Sequence, residues 1–181
     1  MLNISPRKLV NLLLGAALAL AANMASAKTE AISFSLDGDA YIGNTFAANT
    51  GSFTDYFTFS IPSLNTGDVV GTAIAGFKSI VKVGLVQTVS FTGFDLYSGS
   101  AGSGSMIAAG DVSFPAIGSV YANALSAGNY YLQVSGKVAS VGGSYGGNLS
   151  LITTPVPEPG SYAMFLAGLG LMGVIARRRK I

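Results

Sequence analysis

The chain has 181 residues and a formal net charge of +2, and half of its residues are hydrophobic. It contains no Cys and no His, which excludes disulfides, thiol and histidine catalysis and the usual transition-metal ligands. Six of the ten cations lie near the chain ends, whereas four cations and seven anions lie between Lys28 and Thr154. The middle is therefore mildly acidic, and we expect no nucleic acid partner and no cofactor.

Residues 1–27 predict a secretory signal peptide. Arg7 and Lys8 form a positive start, and the stretch from Leu9 to Ala22 is apolar. Ala25 and Ala27 flank Ser26 in a small-x-small cleavage site, so we expect the mature chain to begin near Lys28. The alternative is a permanent N-terminal anchor. A cleaved signal peptide implies the Sec machinery and signal peptidase as partners.

Residues 28–154 predict an all-β domain, an antiparallel β-sandwich or jelly roll of about eight strands. Apolar and polar residues alternate with a period of two in short runs rich in β-branched and aromatic residues. The predicted strands lie within Ile32–Leu36, Phe53–Ile61, Val81–Leu85, Val89–Tyr97, Tyr131–Val138 and Leu149–Leu151. The predicted turns are Asp37–Asp39, Asn65–Asp68, Ser98–Gly104, Ala127–Asn129 and Gly142–Ser144.

One predicted strand carries a carboxylate between two aromatic rings. Phe53, Asp55 and Phe57 share one face of this strand, because side chains alternate between the two faces. If that face is buried, Asp55 must accept hydrogen bonds from backbone N–H groups, a hydroxyl or a Lys. The favoured interpretation is a structural contact that fixes the strand register. The alternative is a calcium or sugar ligand.

Other polar and aromatic residues allow weaker functional hypotheses. Asp37, Asp39 and Asp111 offer oxygen atoms to a calcium ion, but they supply few of its usual six to eight ligands. Asp and Gly also suit a hairpin turn, which is the favoured interpretation, so no metal site is predicted. Sugars stack on exposed aromatic rings, for which the candidates are Tyr41, Tyr121, Tyr130, Tyr131 and Tyr145. We predict no catalytic residues and no enzymatic activity.

Residues 155–181 have three parts: a Pro-rich joint, an apolar stretch and a basic end. The apolar stretch, Tyr162 to Ala176, is fifteen residues without a charge. It is shorter than the ~20 residues that usually span a bilayer, so we expect a transient or thin membrane span. A stop-transfer signal is predicted from Arg177, Arg178, Arg179 and Lys180. A plain tail anchor explains the helix and cations but not the Pro-Glu-Pro joint.

The segment from Val156 to Lys180 resembles the PEP-CTERM sorting signal of Gram-negative bacteria. The residues that carry the sorting motif are Val156, Pro157, Glu158 and Pro159. The resemblance implies a partner exosortase that cleaves near the Pro-Glu-Pro joint. It also implies an inner-membrane intermediate, then delivery to the cell surface or extracellular matrix, often with exopolysaccharide. The Phe53, Asp55 and Phe57 pattern looks like the signature of the FxDxF subfamily of these proteins.

A weaker resemblance concerns the domain itself. Asp55–Phe59, Phe94–Tyr97 and Leu125–Val134 look like successive strands of bacterial pre-peptidase C-terminal β-sandwiches, which supports the fold and not an activity. The predicted function is an exported surface or matrix protein with a structural or adhesive role, linked to exopolysaccharide and biofilm. The alternative is a small glycan-binding β-sandwich.

Overall fold

A β-sandwich followed by one helix makes up the part of the chain that the structure describes. The structure is a computed structural model, and it describes residues 26–63, 65–80, 84–156 and 159–178. Its strands are β1 (Thr29–Ala31), β2 (Asp39–Phe46), β3 (Ser52–Ile61), β4 (Asn65–Ala75), β5 (Phe77–Ile80), β6 (Gly84–Gln87), β7 (Val89–Ser98), β8 (Ser105–Ala108), β9 (Asp111–Ser113), β10 (Ile117–Leu125), β11 (Gly128–Val138) and β12 (Gly143–Pro155). Helix α1 (Pro159–Arg178) follows them. The predicted all-β fold is confirmed.

The strands form two five-stranded sheets and a two-stranded ribbon. The first sheet has the order β1-β3-β11-β7-β8, and the second has the order β2-β12-β4-β10-β9. β5 and β6 form the ribbon. Neighbouring strands pair antiparallel, except that β1 runs parallel to β3. Strands β1 and β2 are thus the edge strands at one side of the two sheets.

The hydrophobic core lies between the sheets and follows the period-two alternation. Strand β3, for example, buries every second side chain from Phe53 to Ile61. Phe94 on β7 is fully buried and occupies space left by two glycines of the second sheet. A Cβ atom added to Gly118 would lie 2.8 Å from the Phe94 ring, and one added to Gly71 would lie 3.3 Å from it. The missing side chains therefore let this ring reach across the sandwich.

Three details of the predicted strand pattern are wrong. The described residues form twelve strands and not about eight: short edge strands such as β8 and β9 were not predicted, and neither were the longer strands β2, β4 and β10. Ile32–Leu36 is not a strand, and Leu36 is exposed. Asn65–Asp68 is not a turn but the start of β4, since pairing with β12 outweighs the turn propensity of these residues. The predicted strand residues Val81–Val83 lie outside the described residues.

Helix α1 is longer than the apolar stretch in the sequence. Its 20 residues extend about 30 Å, which is the thickness of a bilayer core. Proline is tolerated at the first helical position, so Pro159 begins the helix, and the last turn contains Arg177 and Arg178. Among the described residues, the segment Gly160–Arg178 is the one helix that is long and apolar enough to cross a membrane. The helix is thus longer than the apolar stretch, and a transient or thin membrane span stays a prediction.

Candidate functional site

Asp55 is a fully buried carboxylate at the edge of the sandwich core. Its Oδ1 accepts a hydrogen bond from the backbone N–H of Lys28 at 3.0 Å. Its Oδ2 accepts one from Asn44 Nδ2 at 2.9 Å and one from the Tyr145 hydroxyl at 2.6 Å. Asn44 lies on β2 and Tyr145 on β12, so a carboxylate of the first sheet is held by two strands of the second.

The surroundings of Asp55 were predicted from the sequence in part. Phe53, Asp55 and Phe57 share a buried face, and the carboxylate accepts bonds from a backbone N–H and a hydroxyl, as expected. The amide of Asn44 was not predicted, because nothing in the sequence shows that β2 of one sheet lies against β3 of the other. Protein donors, rather than further acidic oxygens, surround the carboxylate, and the described residues contain no group of three or more His, Cys, Asp or Glu suited to a metal ion.

Tyr145 is the partner that keeps the carboxylate within the core. The ring is buried and stacks on Phe53, with centroids 5.6 Å apart. Burial, followed by the hydrogen bond to Asp55, raises the pKa of the Tyr145 hydroxyl far above its usual value. The phenol therefore stays protonated at any physiological pH and remains a hydrogen-bond donor to Asp55.

An open, polar pocket of about 530 Å³ lies beside the Asp55 cluster. Its lining comprises Lys28, Tyr41, Gly43, Asn44, Thr45, Ile74, Gly76, Ser144, Tyr145 and Gly146. The Lys28 ammonium donates to the Gly43 carbonyl at 3.1 Å and pairs with Glu30 Oε2 at 2.6 Å. The same Nζ lies 5.8 Å from the centroid of the Phe57 ring. The Lys28 side chain is thus held by protein groups other than Asp55.

The structure separates the five candidate stacking tyrosines into two groups. Tyr130, Tyr131 and Tyr145 are buried and cannot offer a ring face to a sugar, so their selection as stacking platforms was wrong. Tyr131 illustrates the reason. It stacks on Tyr97 with centroids 5.0 Å apart, and its hydroxyl accepts a bond from the Gly104 N–H of the covering loop. Burial and the nearby Asp95 charge raise the pKa of the Tyr97 hydroxyl.

Tyr41 and Tyr121 lie on the solvent-facing side of the second sheet and are 75% and 61% exposed. We call this side the outer face, and its two central cross-strand rows are Tyr41–Asn148–Thr72–Ser119 and Asp39–Ser150–Val70–Tyr121. Asp39 accepts hydrogen bonds from Ser150 and Asn148, which lower the pKa of its carboxyl group. The outer face therefore carries exposed rings, hydroxyls, an amide and three carboxylates, since Asp68 on β4 shares this face and Asp111 on β9 pairs with Ser119.

The candidate calcium ligands do not meet. Asp37 and Gly38 form a turn in which Gly38 has a φ of +82°, and the turn is closed by a bond from the Ser35 N–H to the Asp39 carbonyl. Asp111 lies on β9, at the opposite edge of the sheet from β2, where its carboxylate bonds Ser113. Four strand spacings, about 19 Å, separate those edges. The turn interpretation of Asp37–Asp39 is the one that the geometry supports.

The targeting residues are described only in part. Ala27 is exposed and lies between the paired residue Ser26 and strand β1, while Ala25 lies outside the described residues. In the C-terminal segment, Val156 is 45% exposed, and Pro159 begins α1. The remaining predicted motif residues, Pro157, Glu158, Arg179 and Lys180, lie outside the described residues.

Comparison with protein families decides the nature of this segment. Residues 155–180 match the family model described as the PEP-CTERM protein-sorting motif. The chain carries a PEP-CTERM sorting motif. The motif implies an exported, sorted protein, processing by an exosortase and association with a membrane through α1. No curated protein sequence matches this chain.

Two solved structures are similar to this chain over about seven tenths of its length. The periplasmic lysozyme inhibitor PliG of Aeromonas hydrophila is 14% identical over 71% of this chain and 100% of its own, with a TM-score of 0.45. The pre-peptidase C-terminal domain of a Bacillus anthracis collagenase is 18% identical over 72% of this chain and 98% of its own, with a TM-score of 0.38.

Proposed function

We propose that this chain is an exosortase substrate that a Gram-negative bacterium delivers to its surface or extracellular matrix. There the β-sandwich has a structural or adhesive role linked to exopolysaccharide and biofilm. The observation that carries the proposal is the sorting motif at residues 155–180, followed by a helix long enough to cross a membrane. The predicted signal peptide, read by the Sec machinery and cut after Ala27, supplies the export step.

The proposal includes membership of the FxDxF subfamily and a role without catalysis. Phe53, Asp55 and Phe57 form a structural unit, because Asp55 is buried and bonded to both sheets. A buried, fully bonded carboxylate is poorly placed to act as an acid or a nucleophile. The sequence also contains no His or Cys that such chemistry would commonly use.

The test of sorting changes Pro157-Glu158-Pro159 to Ala-Ala-Ala in the full-length protein, expressed in a host with an exosortase. We expect the wild type to lose its tail and appear outside the inner membrane. The variant should keep the tail and remain in the inner membrane, because the joint that the exosortase reads is gone. Intact mass and cell fractionation measure both properties.

A matched control changes Ser161 to Ala, just after the joint, and leaves the Pro-Glu-Pro residues unchanged. It should be processed like the wild type. If the wild type and the triple variant both keep the tail and stay in the inner membrane, the segment is a plain anchor. The proposed destination would then be wrong.

The outer face supports a second candidate function, the binding of an extended glycan. Two exposed rings, Tyr41 and Tyr121, stand on β2 and β10 with polar side chains between them. From the strand and residue spacings, their Cα atoms lie about 16 Å apart, which suits a chain of sugars better than a single unit. Rings of this kind stack on sugar faces, and hydroxyl and amide groups bond sugar hydroxyls.

The glycan candidate predicts that Tyr41→Ala and Tyr121→Ala each weaken binding to exopolysaccharide. We expect about a two- to tenfold loss for each, since one aromatic stacking contact contributes about 0.5–1.5 kcal/mol. Retardation in gels that contain purified exopolysaccharide measures the effect. Phe114→Ala, which removes an exposed ring between β9 and β10, is the control. Equal retardation of the wild type and both outer-face variants would contradict a glycan site here.

A further inference from the structure

The backbone nitrogen of the residue after the predicted cleavage site donates a hydrogen bond to the buried carboxylate. The Asp55 carboxylate accepts a hydrogen bond from the backbone nitrogen of Lys28 at 3.0 Å. Lys28 is the residue with which the mature chain is predicted to begin, because Ala25-Ser26-Ala27 is the cleavage site. In the exported protein this nitrogen is therefore not an amide. It is the α-amino group of the new N-terminus.

The backbone around Lys28 is arranged differently from the strand on either side. The Ser26 N–H bonds the Ser52 carbonyl, the Thr54 N–H bonds the Ser26 carbonyl, and regular pairing of β1 with β3 resumes at Thr29. Between them, the Lys28 carbonyl still accepts a bond from the Tyr56 N–H at 2.7 Å, but the Lys28 N–H donates to the Asp55 side chain instead of to the backbone of β3. One hydrogen bond of the ladder is thus replaced by a side-chain contact at the residue with which the mature chain is expected to begin.

The charge on Asp55 has no cationic partner among the described residues. Its three donors are a backbone N–H, the amide of Asn44 and the hydroxyl of Tyr145, all of them neutral. The Lys28 side chain is close, but its ammonium bonds Glu30 and the Gly43 carbonyl. A buried carboxylate is costly unless it is both hydrogen-bonded and paired with a positive charge. The cleaved chain supplies that charge at the position of one existing donor.

We propose that Asp55 is the binding site for the α-ammonium group that signal-peptide cleavage creates on Lys28. In the precursor the contact is a hydrogen bond between an amide and a carboxylate. In the mature chain this contact becomes a buried ion pair. Cleavage therefore strengthens the attachment of β1 to the two sheets. The inference rests on the proposed export of the chain, because only removal of residues 1–27 creates this group.

The ion pair predicts a pH dependence that the uncleaved contact cannot show. An α-amino group titrates near pH 7.7–8.0 in an unfolded chain. Pairing with Asp55 raises the pKa of this group in the folded state. The added stability is thus complete below about pH 7.7 and is lost as the pH rises through the folded pKa. If the pKa rises by about one unit, the folding equilibrium constant falls about tenfold between about pH 7 and pH 10.

The test compares three chains that end at Ile181 and begin at Lys28, Ala27 or Ala25. Each is released from an N-terminal fusion and studied in the same detergent. Near-UV circular dichroism of the eight tyrosines follows urea unfolding, since the chain has no Trp. We expect the tenfold loss in the chain that begins at Lys28. The other two chains, whose ammonium lies one or three residues away, should not show it.

Other titrating groups near the site are common to all three chains. They are the Lys28 side chain with its partner Glu30, Tyr145, whose raised pKa keeps it protonated, and Tyr41 at the rim of the pocket. Their effects cancel when the chains are compared at each pH. Identical pH profiles for the three chains would overturn the proposed ion pair, whatever the stability of each chain.

A second variant and a separate readout complete the test. At pH 7, Asp55→Asn should lower the folding constant about tenfold more in the chain that begins at Lys28 than in the chain that begins at Ala25. Equal losses would contradict the ion pair. N-terminal sequencing of the exported wild-type protein tests the processing step by itself. A start at a residue other than Lys28 would overturn the proposed maturation even if the trimmed chain forms the ion pair.

Discussion

Asp55→Ala is expected to lower the free energy of unfolding of the β-domain by about 3–5 kcal/mol. The change removes the acceptor of three hydrogen bonds, and it leaves the Asn44 amide and the buried Tyr145 hydroxyl without that partner. It also removes the hydrogen bonds by which a β3 side chain holds β2 and β12 at this edge of the two sheets. Urea unfolding followed by near-UV circular dichroism measures the loss.

Two controls isolate the cause of the Asp55 effect. Tyr145→Phe keeps the buried ring and deletes one donor, so we expect a smaller loss of about 1.5–3 kcal/mol. Asp111→Ala removes an exposed carboxylate from edge strand β9 and should leave the unfolding midpoint unchanged. A loss for Asp55→Ala no larger than that for Asp111→Ala would show that the buried hydrogen bonds contribute nothing to the fold.

Phe94→Ala is expected to destabilise the domain by a similar amount, about 3–5 kcal/mol, because it leaves a cavity between the sheets. The ring fills space that Gly71 and Gly118 leave open. In the wild type, Gly118→Ala should cost about 1–3 kcal/mol, since its new methyl group would lie 2.8 Å from the ring. Thermal or urea unfolding measures both changes.

The double variant Phe94→Ala, Gly118→Ala tests whether the Phe94 ring is the reason for the cost of Gly118→Ala. In the Phe94→Ala background the two ring contacts are gone and only the 3.1 Å approach to the Cβ of residue 94 remains, so Gly118→Ala should cost clearly less than in the wild type. Leu36→Ala, at an exposed turn position, is the control and should be additive with Phe94→Ala. If Gly118→Ala costs the same in both backgrounds, the glycine is required for some reason other than the Phe94 ring.

The strands with strong alternation could be predicted from the sequence. Phe53–Ile61 and Val89–Tyr97 each bury one face of a sheet, and period two is the direct result of that burial. Other elements could not be predicted in this way. Asn65–Asp68 has the composition of a turn but lies in a strand, because β12 pairs with it along its whole length. Ile32–Leu36 alternates like a strand but leads into the Gly38 turn.

The candidate functional sites could also be predicted from the sequence only in part. The sequence indicated that Asp55 would need donors if it were buried, but it could not identify Asn44 or Tyr145, which are 11 and 90 residues away. It also could not separate exposed from buried tyrosines. Tyr41 and Tyr131 have similar local patterns, yet Tyr131 is covered by the Ser98–Gly104 loop while Tyr41 lies open on the outer face.

The sequence by itself determined the all-β class and the sorting motif, because both depend on contiguous residues: a two-residue apolar period, and a Pro-rich joint before an uncharged apolar stretch and a basic end. The tertiary structure alone decided which strands are neighbours, which tyrosines remain exposed and which atoms surround Asp55. These features depend on contacts between segments that are far apart in the chain. The nearness of the Lys28 nitrogen to the Asp55 carboxylate, 27 residues apart, belongs to this second group.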